Sequence, residues 1–149
     1  MPRDFHYNIR VETVLKPQVI SGAAGEVTVT KSDRQSFECL ELIASVGESG
    51  DTLSGALKMD FILKEGDLAD GSDLSPVTDS TLVLGATPDS NGIVFTVDAD
   101  GEDGSVYSVG YVGNKRYATL VPKKTGTHTN GIPVSIVAVQ SGAHKRPTV

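Results

Sequence analysis

Leu57-Lys-Met-Asp-Phe-Ile-Leu-Lys64 decides the fold class, because Leu57, Met59, Phe61 and Leu63 alternate with Lys58, Asp60, Ile62 and Lys64. A period of two is the strand period, since successive side chains leave a strand on opposite faces. The stretch predicts a strand with one face on the core. Ile93, Phe95 and Val97 repeat the pattern after the turn Pro88-Asp-Ser-Asn-Gly92. In Phe37–Val46, Leu40, Leu42, Ala44 and Val46 share one face, while Phe37 and Cys39 lie on the other. That predicts a bulge or a strand buried on both faces, with Glu41 needing a partner or a route to solvent.

Further strands are expected at Glu26–Thr30, Thr81–Leu84, Val106–Val112, Arg116–Val121 and Val134–Val139. Asp98–Gly104 reads as a hairpin connection, and Thr125–Pro133 as a turn region. In all, about eight strand candidates recur about every ten residues, without a helix, as in an antiparallel β-sandwich or barrel. The expected class is therefore all-β, in a single domain.

Residues 26–140 form the expected β domain. Residues 1–25 precede it as an N-terminal arm or edge strand, in which Phe5, Tyr7, Ile9 and Val11 alternate with polar neighbours. An arm would lie on a neighbouring subunit by strand addition, whereas an edge strand would complete the domain's own sheet. Residues 141–149, Ser-Gly-Ala-His-Lys-Arg-Pro-Thr-Val, form a basic C-terminal tail.

A chain of 149 residues is long enough to bury a core, and its glycines bring an apolar fraction of 38% into the ordinary globular range. No apolar run approaches the roughly 18 residues of a membrane helix, and the start lacks the apolar region of a signal peptide. No membrane partner is expected. The single Cys39 excludes an intrachain disulfide, suits a reducing compartment and reads as a buried, inert thiol. All 19 acidic residues precede Gly104, with seven of the 13 basic ones, while residues 104–149 hold the remaining six basic residues and no acid. Such polarity either steers docking or is folded away by strands that interleave in space. The acidic total and the lack of a basic stripe with aromatics argue against nucleic acid.

No constellation of catalytic residues stands out, and the chain is not expected to be an enzyme. Asp98, Asp100 and Glu102 alternate as in a calcium loop, but Asp103 stands where the turn needs Gly and Val109 where a Glu should close the shell. Asp67, Asp70, Asp73 and Asp79 read as a solvated loop. His6, His128 and His144 are too far apart for a zinc pattern. Neither a metal nor a cofactor is expected.

Three pieces carry a resemblance. They are Phe37-Glu-Cys-Leu-Glu-Leu-Ile-Ala-Ser-Val-Gly47, Val109-Gly-Tyr-Val-Gly-Asn-Lys-Arg-Tyr-Ala-Thr-Leu-Val121 and Val134-Ser-Ile-Val-Ala-Val-Gln-Ser-Gly-Ala-His-Lys-Arg-Pro147. In order and spacing they resemble a family of small tailed-bacteriophage virion proteins, often encoded beside the major capsid protein. The likeness runs from residue 33 to 147 in outline and is specific at the second and third pieces. Family members often carry a Glu-Ser-Asp-Asp-Gly-like turn before a tryptophan. This chain has Glu65-Gly-Asp-Leu-Ala-Asp-Gly-Ser-Asp73 there and no tryptophan.

The resemblance implies a structural virion protein, above all a capsid decoration (cement) protein on the outer face of the shell, assembled in the host cytoplasm. The major capsid protein would be its partner, with further copies of itself in a homo-oligomer. The alternatives are a head-completion or tail-associated protein in few copies, and a glycan-binding β domain using the acidic loops. Candidate interface residues are Phe5, Tyr7 and Ile9 in the arm, Lys115 and Arg116 in the Val109–Tyr117 stretch, and Lys145 and Arg146 in the tail. In that stretch, Gly110 and Gly113 are expected to allow a bulge or bend, with Asn114 in a left-handed turn. Tyr111 and Tyr117 are expected to pack with their hydroxyls wet.

Overall fold

The computed structural model describes residues 5–144, and the chain is all-β across them. Eleven strands follow one another: β1 (Ile9–Gly22), β2 (Gly25–Glu26), β3 (Ser32–Asp33), β4 (Phe37–Val46), β5 (Lys58–Gly66), β6 (Ser75–Pro76), β7 (Val83–Leu84), β8 (Ile93–Val97), β9 (Ser105–Tyr111), β10 (Tyr117–Thr125) and β11 (His128–Ala143). Short 3-10 turns occupy His6–Asn8 and Ser80–Leu82.

The strands form two antiparallel sheets. Sheet A has the order β1-β11-β4-β9-β7. Sheet B has the order β2-β10-β5-β6, with β3 also on β10 and β8 also on β5. Their facing sides make one core, whose largest fully buried side chains include Tyr111, Phe61, Leu42, Met59, Leu63, Leu120, Ile132 and Ile136. Leu40, Leu42, Ala44 and Val46 all point into it, as their shared parity requires.

Several expectations are decided or corrected by the fold. Of its two alternatives, arm or edge strand, the N-terminal segment takes the edge strand of its own sheet: β1 pairs with β11 from Ile9 to Gly22 and places Val14, Leu15 and Ile20 in the core. Loss of residues 1–20 would therefore empty core positions rather than trim an accessory. At the other terminus, Ser141 and Ala143 still pair with Cys39 and Phe37 and so belong to β11 rather than to a tail. That strand begins at His128, so the turn after β10 is only two residues long, and it carries the chain from one sheet to the other. Gly126 makes this possible at φ 76°, with the Ala56 carbonyl only 2.5 Å from where a Cβ would sit. Asp98–Gly104 is likewise no hairpin turn, because β8 lies in sheet B and β9 in sheet A. Of the expected Glu26–Thr30 strand only Glu26 is paired as a strand, in β2, and Thr81–Leu84 divides between a 3-10 turn and β7.

β5 is buried on both faces, not one. Met59, Phe61 and Leu63 fill the core, while Asp60 and Ile62 on the other parity are only 4% exposed. Ile62 stands opposite the buried Val121. Asp60 accepts a hydrogen bond from Thr96 Oγ1 at 2.6 Å and lies 3.2 Å from Lys58 Nζ, so its buried charge is partnered.

Candidate protein-binding surface

The Val109–Tyr117 stretch is the corner at which the chain leaves sheet A and enters sheet B. Its glycines serve close approach rather than a left-handed backbone. A Cβ on Gly113 would collide with the Tyr111 hydroxyl, and one on Gly110 would lie 3.0 Å from Glu41 Oε2. Asn114 is not left-handed, since Ser36 is the positive-φ non-glycine among the described residues.

Tyr111 is fully buried and donates its hydroxyl to Glu65, so the expected wet hydroxyl is instead an internal anchor between the sheets. Burial, and then the Glu65 hydrogen bond, push its phenol well above the ordinary value. Arg34 lies over the Tyr111 ring at 4.7 Å and donates to the carbonyls of Gly113 (2.6 Å) and Lys115 (3.0 Å). It thereby pins the outside of the corner. Tyr117, 7% exposed, lies beneath Lys31 and Arg116.

Lys115 and Arg116 do not present free charge. Lys115 Nζ meets Asp67 at 2.7 Å, and Arg116 holds Asp33 through two bonds of 2.8 and 3.0 Å. The Arg116 bond holds the Asp33 carboxyl below its usual range, and Lys115 does the same for Asp67. Basic residues from after Gly104 thus sit on acids from before it, and at this corner the charge polarity of the sequence is folded away. Between the partners lies an open recess of about 350 Å³, lined by Arg34, Phe37, Asp67 and Lys115 among others.

The structure brings most of the anticipated interface residues to one end of the sandwich. Ile9 pairs with Ser141, Ser141 pairs with Cys39, and the His144 amide donates to the Ser36 carbonyl. β1 and β4 therefore start where β9 and β11 end, beside the corner. Phe5 and Tyr7 are 72% and 50% exposed there, and Ile9 is half-buried. Lys145 and Arg146 lie outside the described residues.

Acidic loops cap the opposite end. Asp51 accepts from the amides of Asn130 and Gly131, Asp100 from Leu53, and Asp103 from Ser49. In the acidic loop at the corner end, Asp73 accepts from the amides of Asp67 and Leu68. These carboxylates hold loop backbone in place. Among the described residues, no three His, Cys, Asp or Glu side chains gather as a metal would require. His128 is buried, with Nε2 3.2 Å from the Lys58 carbonyl.

Reasoning from sequence missed the outer face of sheet A. The pairing registers place Val11 and Thr13 of β1, Val137 and Val139 of β11, Cys39, Glu41, Ile43 and Ser45 of β4, Val106 and Ser108 of β9, and Leu84 of β7 on that face. Glu41 is the one charged residue among them. Val11, Leu84 and Val106 are more than half exposed. Cys39 is exposed too, which corrects the reading of a buried thiol: its parity turns it away from the core. The available signal was the apolar character of β4 and β11 at both parities, and only the fold shows that the second parity meets solvent.

No family model matches the sequence, and no curated protein matches it. Among solved structures, the crystal structure of the SPBc2 prophage-derived protein YomS is similar at 10% identity and a TM-score of 0.45, covering 89% of this chain and 92% of that one.

Proposed function

We propose that the protein is a structural virion component, a capsid decoration protein that docks on the major capsid protein and stabilises the shell. The observation that carries a docking role is the outer face of sheet A, a broad surface with one charged residue in its midst. Contiguous apolar surface on a soluble protein marks an interaction site, and depletion of charge is the compositional feature of interface cores. The virion assignment rests on the sequence resemblance. The first and third pieces supply β4 and the Val134–Ala143 part of β11, which pair in sheet A, and the second supplies the corner, whose Val109–Tyr111 end pairs with β4. They specify the scaffold that presents the face.

No catalytic role is assigned, and recognition is of protein by protein. Phe5 and Tyr7, at the end from which β1 departs, extend the apolar contact. Lys115 and Arg116 act as braces of the corner rather than as contacts, since their charges are already met by Asp67 and Asp33.

Quantitative mass spectrometry of purified particles tests the assignment. Hundreds of copies per particle are expected of a shell protein. A ring of about 6 to 12 copies would move the protein to the neck or tail, and absence from the particle would overturn the virion role.

A further inference from the structure

Val11 of β1, Val139 of β11, Glu41 of β4, Gly110 of β9 and Leu84 of β7 stand opposite one another in register, so they form one row across the outer face of sheet A. With neighbouring strands about 4.8 Å apart, the row is roughly 19 Å long. Glu41 holds its middle, on the third strand of five and halfway along that strand. Val11 and Leu84 close the two ends, 58% and 57% exposed.

A charge at this place has no internal explanation. Asp60, in the middle of sheet B, is met by Thr96 and Lys58. Glu41 has no such counterpart: among the described residues, no hydrogen-bond donor or cation pairs with its carboxylate. The outer-face residues around it, Cys39, Ile43, Val139, Ser108 and Leu84, include no basic side chain.

Gly110 sets the posture of that carboxylate. A Cβ on Gly110 would come within 3.0 Å of Glu41 Oε2 and 3.1 Å of Leu84 Cβ, so the carboxylate leans over bare backbone toward Leu84. It lies low on the sheet, half-buried, with its remaining exposure directed out of the face.

We propose that the surface docked on this face presents a basic side chain, an arginine, that seats on Glu41 within an otherwise apolar contact. The inference rests on the docking role given to sheet A above and names the chemistry which that role requires of the partner. Docking removes water from the centre of a contact most completely, and a carboxylate stranded there without a partner opposes binding. A cation brought by the partner replaces the lost water with charge-assisted hydrogen bonds. Arginine suits the geometry better than lysine. Its planar guanidinium can lie over Gly110 and give two parallel bonds to a low carboxylate, with its aliphatic stem against Leu84 or Val139. Glu41 is then a specificity-determining residue, since a surface with an acid or nothing at that point leaves its charge unmet.

The competing role for Glu41 is to keep the bare face soluble before docking. The two roles predict opposite outcomes. A charge kept only for solubility opposes docking, so its removal strengthens binding, whereas removal of a paired charge weakens it.

Binding to purified capsid shells that lack the protein separates them, with wild type, Glu41→Gln, Glu41→Lys and Val137→Lys compared at low and high salt. Glu41→Gln keeps the shape and loses the charge, and should weaken binding about tenfold or more. Glu41→Lys sets like charges together and should weaken it further. The association rate of wild type should fall more steeply with salt than that of Glu41→Gln, which a contact with neutral donors would not produce. The side chain faces solvent, so unchanged unfolding midpoints are expected and act as the control for folding. If Val137→Lys loses binding while Glu41→Gln or Glu41→Lys binds as well as wild type or better, or if the salt slopes of wild type and Glu41→Gln are equal, the basic contact is overturned and the docking face stands. If wild type itself does not bind the shells, the docking role falls and this inference with it.

Discussion

Sheet B and sheet A spend their outer faces differently. In sheet B the central strand is buried on both sides, and its polar positions are tied down: Asp60 to Thr96 and Lys58, Lys64 to Glu26. In sheet A the core-facing side is as well packed, yet the outer side shows Val11, Leu84 and Val106 to solvent with Glu41 as its one charge. Both sheets are rich in apolar residues at both parities. The difference lies in what covers the second parity: in sheet B the protein itself covers it, while in sheet A nothing described does. Where a domain leaves such a face bare and keeps charge off it, the cover is to be sought in another protein.

The comparison can be broken most forcefully in the core that the sheets share. Phe61→Ala should destabilise the fold by about 3–5 kcal/mol, seen as a large fall in the denaturation midpoint. A small loss would mean that β5 is not the buried centre of sheet B. Tyr111→Phe tests the strut between the sheets. Removing a buried hydroxyl that donates to Glu65 leaves that carboxylate without a partner and should cost about 1–3 kcal/mol. A neutral outcome would return Tyr111 to the solvated role that its sequence context first suggested.

A smaller effect is expected from pH. The Asp33 and Asp67 carboxyls lie below their unfolded value of about 3.9 because Arg116 and Lys115 bind the charged forms. The stability they contribute is therefore fully present above that value and is lost as pH falls through their folded values. Asp33→Asn with Asp67→Asn should be less stable than wild type at neutral pH, with the gap closing below about pH 4. A gap that stays constant across the acid range would remove these pairs from the account of the corner. The smallest effect on stability belongs to the bare face: Val11→Thr should shift the stability by no more than about 0.5 kcal/mol, because it is already 58% exposed.

Much of this architecture is legible in the sequence. The alternation of Met59, Phe61 and Leu63, and of Leu40, Leu42 and Ala44, identified two strands and their core faces, since a period of two leaves little choice. The sheet to which each strand belongs was not legible. Asp98–Gly104 looks like a hairpin tip from its composition, and only the long-range pairing of β8 with β5 and of β9 with β4 shows that it crosses the core. Tyr111 was misjudged because its partner Glu65 lies 46 residues away. Lys115 and Arg116 drew attention as a basic pair for the same reason, as Asp67 and Asp33 are distant in sequence. Phe5, Tyr7 and Ile9 are singled out by their alternation, and the fold places them beside the corner, with Phe5 and Tyr7 exposed. The outer face of sheet A went unnoticed because apolar residues at both parities of Phe37–Val46 look like two buried faces.

The most direct measurement is binding to purified capsid shells that lack the protein, comparing Val11→Lys and Val137→Lys on sheet A with Lys123→Glu on sheet B. All three should keep the wild-type fold by circular dichroism. The account predicts that both sheet A variants lose at least about tenfold in affinity, as a charge inserted into an interface core should, while Lys123→Glu binds as wild type does. Sheet A variants that bind shells normally would contradict it.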